Sequence, residues 1–292
     1  MRQALIITVG VPGCGKSTWA EKICTKKGFI GVNRDNLRRF ITANFETKVQ
    51  STPELEKKVT EAHTELLTCA LKNGKTVVCS DTNINPDTRK RLEKIAEGYG
   101  VAVFYKHFRD SKDWALLQER NKTRPEKDRV PFRVLKDFYD RYREQNFKPA
   151  VRNLSLPCAY IFDIDGTLAD HEGLRSPFEW YKVGLDRVKW DIANIANTMY
   201  ESGFYVILVS GRDACCFKNT ILWLNTHGIK FHHLIMRPEK SNEKDSILKY
   251  DIYKNYIEPN FNVLGVFDDR DQCVSMWREI GLTALQVARG DF

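Results

Sequence analysis

Two short runs of residues, one in each half of the chain, have the types and spacing for phosphate chemistry of opposite sense. The first is Gly10-Val11-Pro12-Gly13-Cys14-Gly15-Lys16-Ser17. Glycines at Gly10, Gly13 and Gly15 let backbone N–H groups wrap phosphate oxygens. A helix opening at Thr18 brings roughly half a positive charge to the same place. Lys16 would bridge the β- and γ-oxygens and Ser17 would ligate Mg2+, so the run predicts a nucleoside triphosphate as phosphate donor. The second run is Asp163-Ile164-Asp165-Gly166-Thr167. Its two carboxylates, two residues apart at the end of an apolar strand, share one face. One can attack phosphorus while the other moves protons to the leaving group and from water. A Mg2+ ion would take oxygen ligands there and shield the like charges. One run adds phosphate and the other takes it off, which points to a substrate with two ends.

Other residues fall where each chemistry needs partners. Asn33-Arg34-Asp35-Asn36-Leu37-Arg38 follows the second expected strand, on the ligand-binding edge of a parallel sheet. Asp35 could accept the proton of an attacking hydroxyl and Arg38 could grip a neighbouring phosphate; the plain alternative is a helix capped by Asp35 with surface arginines. Asp81, in Ser80-Asp81-Thr82-Asn83, could hold the metal, orient acceptor groups or cap a turn. Arg120-Asn121-Lys122-Thr123-Arg124-Pro125 and Arg129 form a basic stretch in the position of a lid. A lid arginine there, Arg120, Arg124 or Arg129, would stabilise charge on the transferring phosphoryl group; a solvated basic helix would look the same. In the second half, Ser210 and Arg212 close a strand and could hydrogen-bond phosphate. Either Lys240 or Lys249 could supply the positive charge beside an aspartyl-phosphate. Asp268 and Asp269 end a later strand and would complete a metal site with Asp163 and Asp165.

Such residues are positioned by alternating strands and helices, the pattern of an α/β protein with parallel sheet. Strands are expected at 4–9, 29–32, 76–80 and 101–105, then at 159–162, 205–209 and 263–267. Pro53 opens a helix with apolar face Leu55, Val59, Ala62, Leu66 and Ala70, which Gly74 ends. Asn85-Pro86 opens another, to about Tyr99. Ser111 is expected to cap 112–122, and later helices are expected near 191–202, 213–226, 242–257 and 271–280. The aperiodic, proline-containing stretch 146–157 divides the chain into domains at 1–150 and 157–292. The 292 residues suffice for two cores. No apolar run reaches the ~20 residues of a membrane span, and the N-terminus reads as a first strand rather than a leader. Eight scattered cysteines fit reduced thiols in a cytoplasmic protein. Charge is uneven: residues 1–150 carry 30 Lys and Arg against 19 Asp and Glu, a net +11, while residues 151–292 carry 16 against 19, a net −3. A basic first half suits a polyanion such as nucleic acid, or a merely soluble surface.

The Asp163-x-Asp165-Gly166-Thr167 run resembles the first motif of haloacid dehalogenase-type phosphatases. Taken together, Gly15-Lys16-Ser17-Thr18-Trp19-Ala20, Asn33-Arg34-Asp35, Ser80-Asp81-Thr82-Asn83, Phe162–Ala169 and the ending Gln286–Phe292 resemble the T-even phage-type polynucleotide 5′-kinase/3′-phosphatases over nearly the whole chain. The resemblance implies a P-loop kinase domain joined to a haloacid dehalogenase-like Rossmannoid phosphatase domain. It implies ATP and Mg2+ as cofactors, with Lys16, Ser17 and Thr18 serving ATP. Asp35 would be the base on a 5′-hydroxyl, Arg38 would bind the adjoining phosphate, and Arg124 would be the lid arginine, with Asp81 and Arg120 in support. In the phosphatase, Asp163 would be the nucleophile and Asp165 the acid/base, with Arg175, Ser210, Arg212, Asp245, Lys249, Asp268 and Asp269 lining the pocket. It further implies a homotetramer that mends RNA or DNA ends ahead of a ligase, in the host cytoplasm if phage-encoded, with 2′,3′-cyclic phosphate a further candidate end. Cys14 stands where the family has serine, a position that contributes its backbone N–H. The segment after Arg212 is shorter and cysteine-rich, which bears on the cap and the phosphatase substrate. Two other readings fit some of the motifs: a small-metabolite kinase fused to a metabolite phosphatase, and a nucleic-acid-binding adaptor with decayed sites. Arg38, Arg124 and the basic first half weigh against the former, and intact Lys16, Ser17, Asp163 and Asp165 against the latter.

Overall fold

The computed structural model describes residues 3–47 and 49–290, so that the closing Asp291 and Phe292 lie outside the described residues. It divides into two units, one up to Arg143 and one from Glu144. Strands β1 (Ala4–Val9), β2 (Ile30–Val32), β3 (Val77–Cys79) and β4 (Ala102–His107) make a parallel sheet in the order β2-β3-β1-β4. Leu5 lies in register with Val77 on one side and Val103 on the other. The helices are α1 (Lys16–Lys27), α2 (Arg34–Thr42), α3 (Pro53–Lys72), α4 (Pro86–Gly98), α5 (Trp114–Lys122) and α6 (Phe132–Glu144). β1 and β3 read as unbroken apolar runs because the sheet is covered on both faces. Leu5, Ile7, Val77 and Cys79 pack with Val59 and Leu67 of α3 and Leu92 and Ala96 of α4. A second cluster joins Val9, Val11 and Cys14 to Leu117 of α5 and Leu135 and Tyr139 of α6.

Local signals set most helix starts. Thr52 accepts from Leu55 N–H with Pro53 next, and Asn85 accepts from Asp87 N–H with Pro86 next. Two expected caps move. Asn33, not Asp35, caps α2, its Oδ1 accepting from the N–H groups of Asp35 and Asn36. Asp113, not Ser111, caps α5 by accepting from Leu116 N–H. Ser111 is buried, and its hydroxyl accepts instead from Val11 N–H at 3.2 Å, bracing the glycine-rich loop.

The second unit holds β5 (Cys158–Phe162), β6 (Ala169–Asp170), β7 (Arg187–Val188), β8 (Tyr205–Asp213), β9 (His233–Arg237), β10 (Asn262–Asp268) and β11 (Ala284–Gln286). Five of them form a parallel sheet in the order β11-β10-β5-β8-β9, and β6 pairs antiparallel with β7. Its helices are α7 (Trp190–Glu201), α8 (Phe217–Thr226), α9 (Asp245–Ile252) and α10 (Asp271–Glu279). Ile161 and Val209 meet Leu248 and Trp277 on one face; Phe162 and Leu208 meet Ala193 and Leu224 on the other. Adjacent parallel strands β5, β8 and β10 all end at Asp163, Ser210–Arg212 and Asp268, so tertiary pairing gathers three separate motifs at one sheet edge. Among the described residues, no helix is long and apolar enough to cross a membrane.

Candidate active sites

In the first unit the turn from β1 into α1 is a cradle. Gly13 and Gly15 hold φ of +94° and +93°, a left-handed conformation that suits glycine and is the backbone geometry of an anion-binding concavity. Ser17 and Thr18 are exposed at the helix start. Lys16 is buried and donates its Nζ proton to Val11 O at 2.9 Å, so its ammonium folds back over the loop. Burial depresses its pKa, and the Arg124 charge adds to this against Cys14 and Asp81. Lys16 therefore gains from any anion placed beside it. Arg120 reaches the same loop, donating from Nη1 to Gly13 O at 3.2 Å and to Asp110 Oδ2 at 2.7 Å.

Beside the cradle, Asp81 follows β3 and accepts from Arg34 N–H at 2.8 Å and Asn33 Nδ2 at 3.3 Å. Buried His63, of α3, sets Nε2 3.3 Å from its other oxygen. Asp81 thus organises the start of α2 rather than capping its own turn. Asp35 projects from that first turn with its side chain 78% exposed, and Arg38 Nη1 bonds it at 2.5 Å. Glu56 holds the rest of Arg38 with two bonds, Nε–Oε1 at 2.6 Å and Nη2–Oε2 at 2.9 Å, and also takes Arg34 Nη2 at 2.8 Å. The Arg38 hydrogen bonds lower the Glu56 carboxyl to about 2 despite partial burial. Arg124 Nη1 lies 3.4 Å from Asp128 O. Asp128 pairs with Arg39 of α2, and Lys127 donates to Phe45 O at 3.1 Å. The basic stretch is thereby tied to the acceptor-side helix. Glu56 and His63 carried no signal in sequence beyond their place on an amphipathic helix.

In the second unit, Asp163, Asp268 and Asp269 are buried with carboxylate oxygens within 4.8 Å of one another. Lys249 of α9 bridges them, its Nζ 3.0 Å from Asp163 Oδ1 and 2.8 Å from Asp268 Oδ2. Of the two lysines, Lys249 lies against these carboxylates, whereas Lys240 is exposed and its N–H donates to Asp213. Trp277 Nε1 donates to Asp268 Oδ2 at 3.1 Å, a partner that no motif contains. Burial pushes the Asp163 carboxyl well above its usual range; Lys249 opposes this, while Asp268 and Asp269 add to it. Asp269 is raised in the same way. Three crowded carboxylates against one ammonium leave a negative site lined with oxygen donors, which fits a hard divalent cation. Gly166 makes the packing possible. At φ +79°, a Cβ on it would stand 2.0 Å from Asp269 Oδ2.

Asp165 does not join that cluster, contrary to the expected metal set. Its carboxylate turns to two arginines: Arg175 Nη2 at 2.7 Å and Arg212 Nη2 at 2.8 Å, with Arg212 Nε at 3.0 Å from Oδ2. Burial would raise its pKa, but the Arg212 charge and hydrogen bonds, then Arg175, hold it below the ordinary value. Behind both arginines lies Asp186, fully buried, which bonds Arg175 at 2.7 and 2.8 Å and Arg212 at 2.6 Å. Asp186 sits outside every motif and escaped sequence reading. Ser210 is buried beneath, its hydroxyl accepting from Arg212 N–H at 3.2 Å. Asp245 pairs with Arg237 and Arg270, and its charge also reaches Lys249.

Comparison with known proteins agrees with this division. Residues 157–292 match the family described as the polynucleotide kinase PNKP phosphatase domain, and residues 5–145 match a family described as AAA domain. A protein of Autographa californica nuclear polyhedrosis virus, named as a bifunctional polynucleotide kinase/RNA ligase, is 30% identical over 301 residues. The alignment covers 98% of this chain and 42% of that relative, so the chain spans less than half of its length. Two solved chains from the Pnkp1/Rnl/Hen1 RNA repair complex are 27% and 28% identical, with coverage of 99% of this chain and 97% and 98% of theirs, each at a TM-score of 0.49. With a nucleotide cradle in the first matched region and a buried carboxylate cluster in the second, the chain is a P-loop kinase domain of the AAA type followed by a haloacid dehalogenase-type phosphatase domain that belongs to the family of polynucleotide kinase PNKP phosphatase domains.

Proposed function

We propose that this chain heals nucleic-acid ends, phosphorylating 5′-hydroxyls with ATP and removing 3′-phosphates with Mg2+. The observation that carries it is the pair of complete sites: a buried lysine over a glycine cradle in one unit, and a lysine-bridged carboxylate triad in the other. In the kinase, Asp35 stands exposed to take the proton of the attacking hydroxyl, and Arg38 beside it meets the adjoining phosphate. Lys16, with Arg120 and Arg124, faces the charge of the transferring group, and Gly13 and Gly15 supply N–H donors, whereas Gly10, whose own N–H is held by Thr82 O at 3.0 Å, opens the loop without donating; Ser17, Thr18 and Asp81 would serve donor and metal. In the phosphatase, Asp163 attacks phosphorus and carries an aspartyl-phosphate, which Lys249 and Ser210 support. Asp165, freed as Arg175 and Arg212 turn to the phosphate, takes up a proton from solvent, passes it to the leaving oxygen and regains one from the attacking water. Asp163, Asp268 and Asp269 would hold Mg2+, which when bound neutralises charge between enzyme and substrate. Action ahead of a ligase and assembly as a homo-oligomer extend the same reading.

One oligonucleotide with a 5′-hydroxyl and a 3′-phosphate tests it, both ends being analysed after addition of ATP and Mg2+. Wild type is expected to change both ends. Asp35→Ala should leave the 5′ end bare and still free the 3′ end, and Asp163→Ala should do the reverse. Turnover of sugars or nucleosides without turnover of the oligonucleotide would overturn the reading in favour of metabolite substrates.

A further inference from the structure

Between Arg175 and Asp186 the second unit makes a loop pinned at both ends by the buried, doubly bonded pair of those two residues. Inside it, the 3₁₀ turn Trp180–Leu185 is fastened by Val183, which packs against Cys216 and Met236. A loop so firmly held could turn its other apolar residues inward as well. Yet Phe178 is 80% exposed, Tyr181 73% and Leu185 61%. The rings are also braced. Phe178 meets Trp180 edge-on with centroids 6.1 Å apart, Tyr181 donates its hydroxyl proton to Glu179 at 2.9 Å, and Lys182 lies 5.5 Å from the Tyr181 ring centre.

The backbone that carries the exposed rings touches the phosphatase site. Arg175 Nη1 lies 3.3 Å from Ser176 O and 3.4 Å from Pro177 O, the carbonyl joined to Phe178, while its Nη2 holds Asp165. One guanidinium therefore spans from the acid/base carboxylate to the foot of the aromatic segment. Charge indicates what the rings would receive. Residues 151–292 have 16 Lys and Arg against 19 Asp and Glu, so they lack the surplus that grips a backbone through its phosphates. Cations of this loop and the residues just after it are already engaged: Lys182 by Glu179 at 2.7 Å, Arg187 by Asp170 at 3.1 Å, and Lys189 by Gly166 O at 2.8 Å. Aromatic faces hold a strand without net charge, because every base offers a π-face.

We propose that Phe178 and Tyr181 form a stacking platform for the nucleobases next to the 3′-phosphate of a single strand, so that the end is delivered to Asp163. This rests on the end-healing reading and narrows its phosphatase substrate to single-stranded ends with little sequence preference. Phe178→Ala and Tyr181→Ala in the full chain test it by steady-state kinetics on a 3′-phosphorylated single-stranded oligonucleotide and on acetyl phosphate, which has no ring to stack. Stacking is worth ~1–3 kcal/mol per base, so each substitution should raise the oligonucleotide KM at least roughly fivefold. Both kcat and the hydrolysis of acetyl phosphate should hold, and Phe178→Trp should restore the KM. An unchanged oligonucleotide KM overturns the platform, including the case in which the substitution instead dissociates an oligomer seen by light scattering. A parallel loss on acetyl phosphate also overturns it, since the rings would then merely hold the loop. Wild type that hydrolyses acetyl phosphate but no oligonucleotide would instead sink the end-healing reading, so the two failures remain distinct.

Discussion

At the scale of single residues, each site depends on a carboxylate that no motif contains. Glu56 fixes Arg38 from behind while Asp35 meets it from the front, so one guanidinium is oriented by two acids. Glu56→Gln keeps the shape and removes the charge. It should raise the KM for a 5′-hydroxyl acceptor roughly tenfold, the worth of one hydrogen bond to a charged group, with the KM for ATP unchanged. A fall in kcat with KM intact would mean that Arg38 is not an acceptor-binding group. The same pair gives a pH signature. Glu56 drops from the ordinary 4.5 to about 2 through its Arg38 hydrogen bonds. A depressed carboxyl adds stability above the unfolded pKa and loses it as pH falls toward the folded one. The stability difference between wild type and Glu56→Gln should therefore be full above about 4.5 and vanish on acidification toward about 2, as read by urea unfolding across that range. Lys249 teaches the converse lesson. Sequence left Lys240 beside it as an equal choice, because only the third dimension tells a buried ammonium from an exposed one.

At the scale of elements, the strand-end turns decide activity. Asp163, Asp165 and Gly166 belong to one such turn, and Gly166 brings the chain so close to Asp269 that even a methyl group cannot fit. Gly166→Ala should cut phosphatase turnover at least roughly a hundredfold through displacement of Asp269 and strain at positive φ. The kinase rate of the same preparation should stay within twofold, which controls for folding; a phosphatase of normal rate would show that the turn adapts. Elements with punctuation were legible: α3 and α4 begin where Thr52-Pro53 and Asn85-Pro86 place them. Punctuation alone is not enough: α6 was not expected, although Pro131 stands just before it and it buries Leu135, Tyr139 and Tyr142. Ser111 and Asp113 are both good caps by type, and the choice between them fell to tertiary contact, since Val11 N–H claims the serine hydroxyl.

At the scale of the whole molecule, the charge split is the lever: a net +11 in residues 1–150 against −3 in residues 151–292. In the proposed reading the kinase grips its strand by phosphates and the phosphatase by base faces. Each phosphate neutralised contributes a slope of about 0.7 to the fall of log affinity with log salt for a single strand. Between 50 and 200 mM salt the acceptor KM of the kinase should therefore climb steeply, and that of the phosphatase for the same oligonucleotide should climb at less than about half the slope. Equal slopes would show that the charge split has no part in binding.

The sequence by itself pointed to the two proposed chemistries and determined the α/β class and the residues at the strand ends. Those features are local: a glycine loop, two aspartates at spacing two and an apolar run need only neighbours in the chain to be recognised. Tertiary structure decided which distant groups complete them. It set Lys249 between Asp163 and Asp268, turned Asp165 away from the carboxylate cluster to Arg175 and Arg212, and put Glu56 behind Arg38. The reason is physical. A buried charge must find an opposite charge or a hydrogen bond wherever the fold places one, and parallel strand pairing brings together residues whose separation along the chain leaves no periodicity to read.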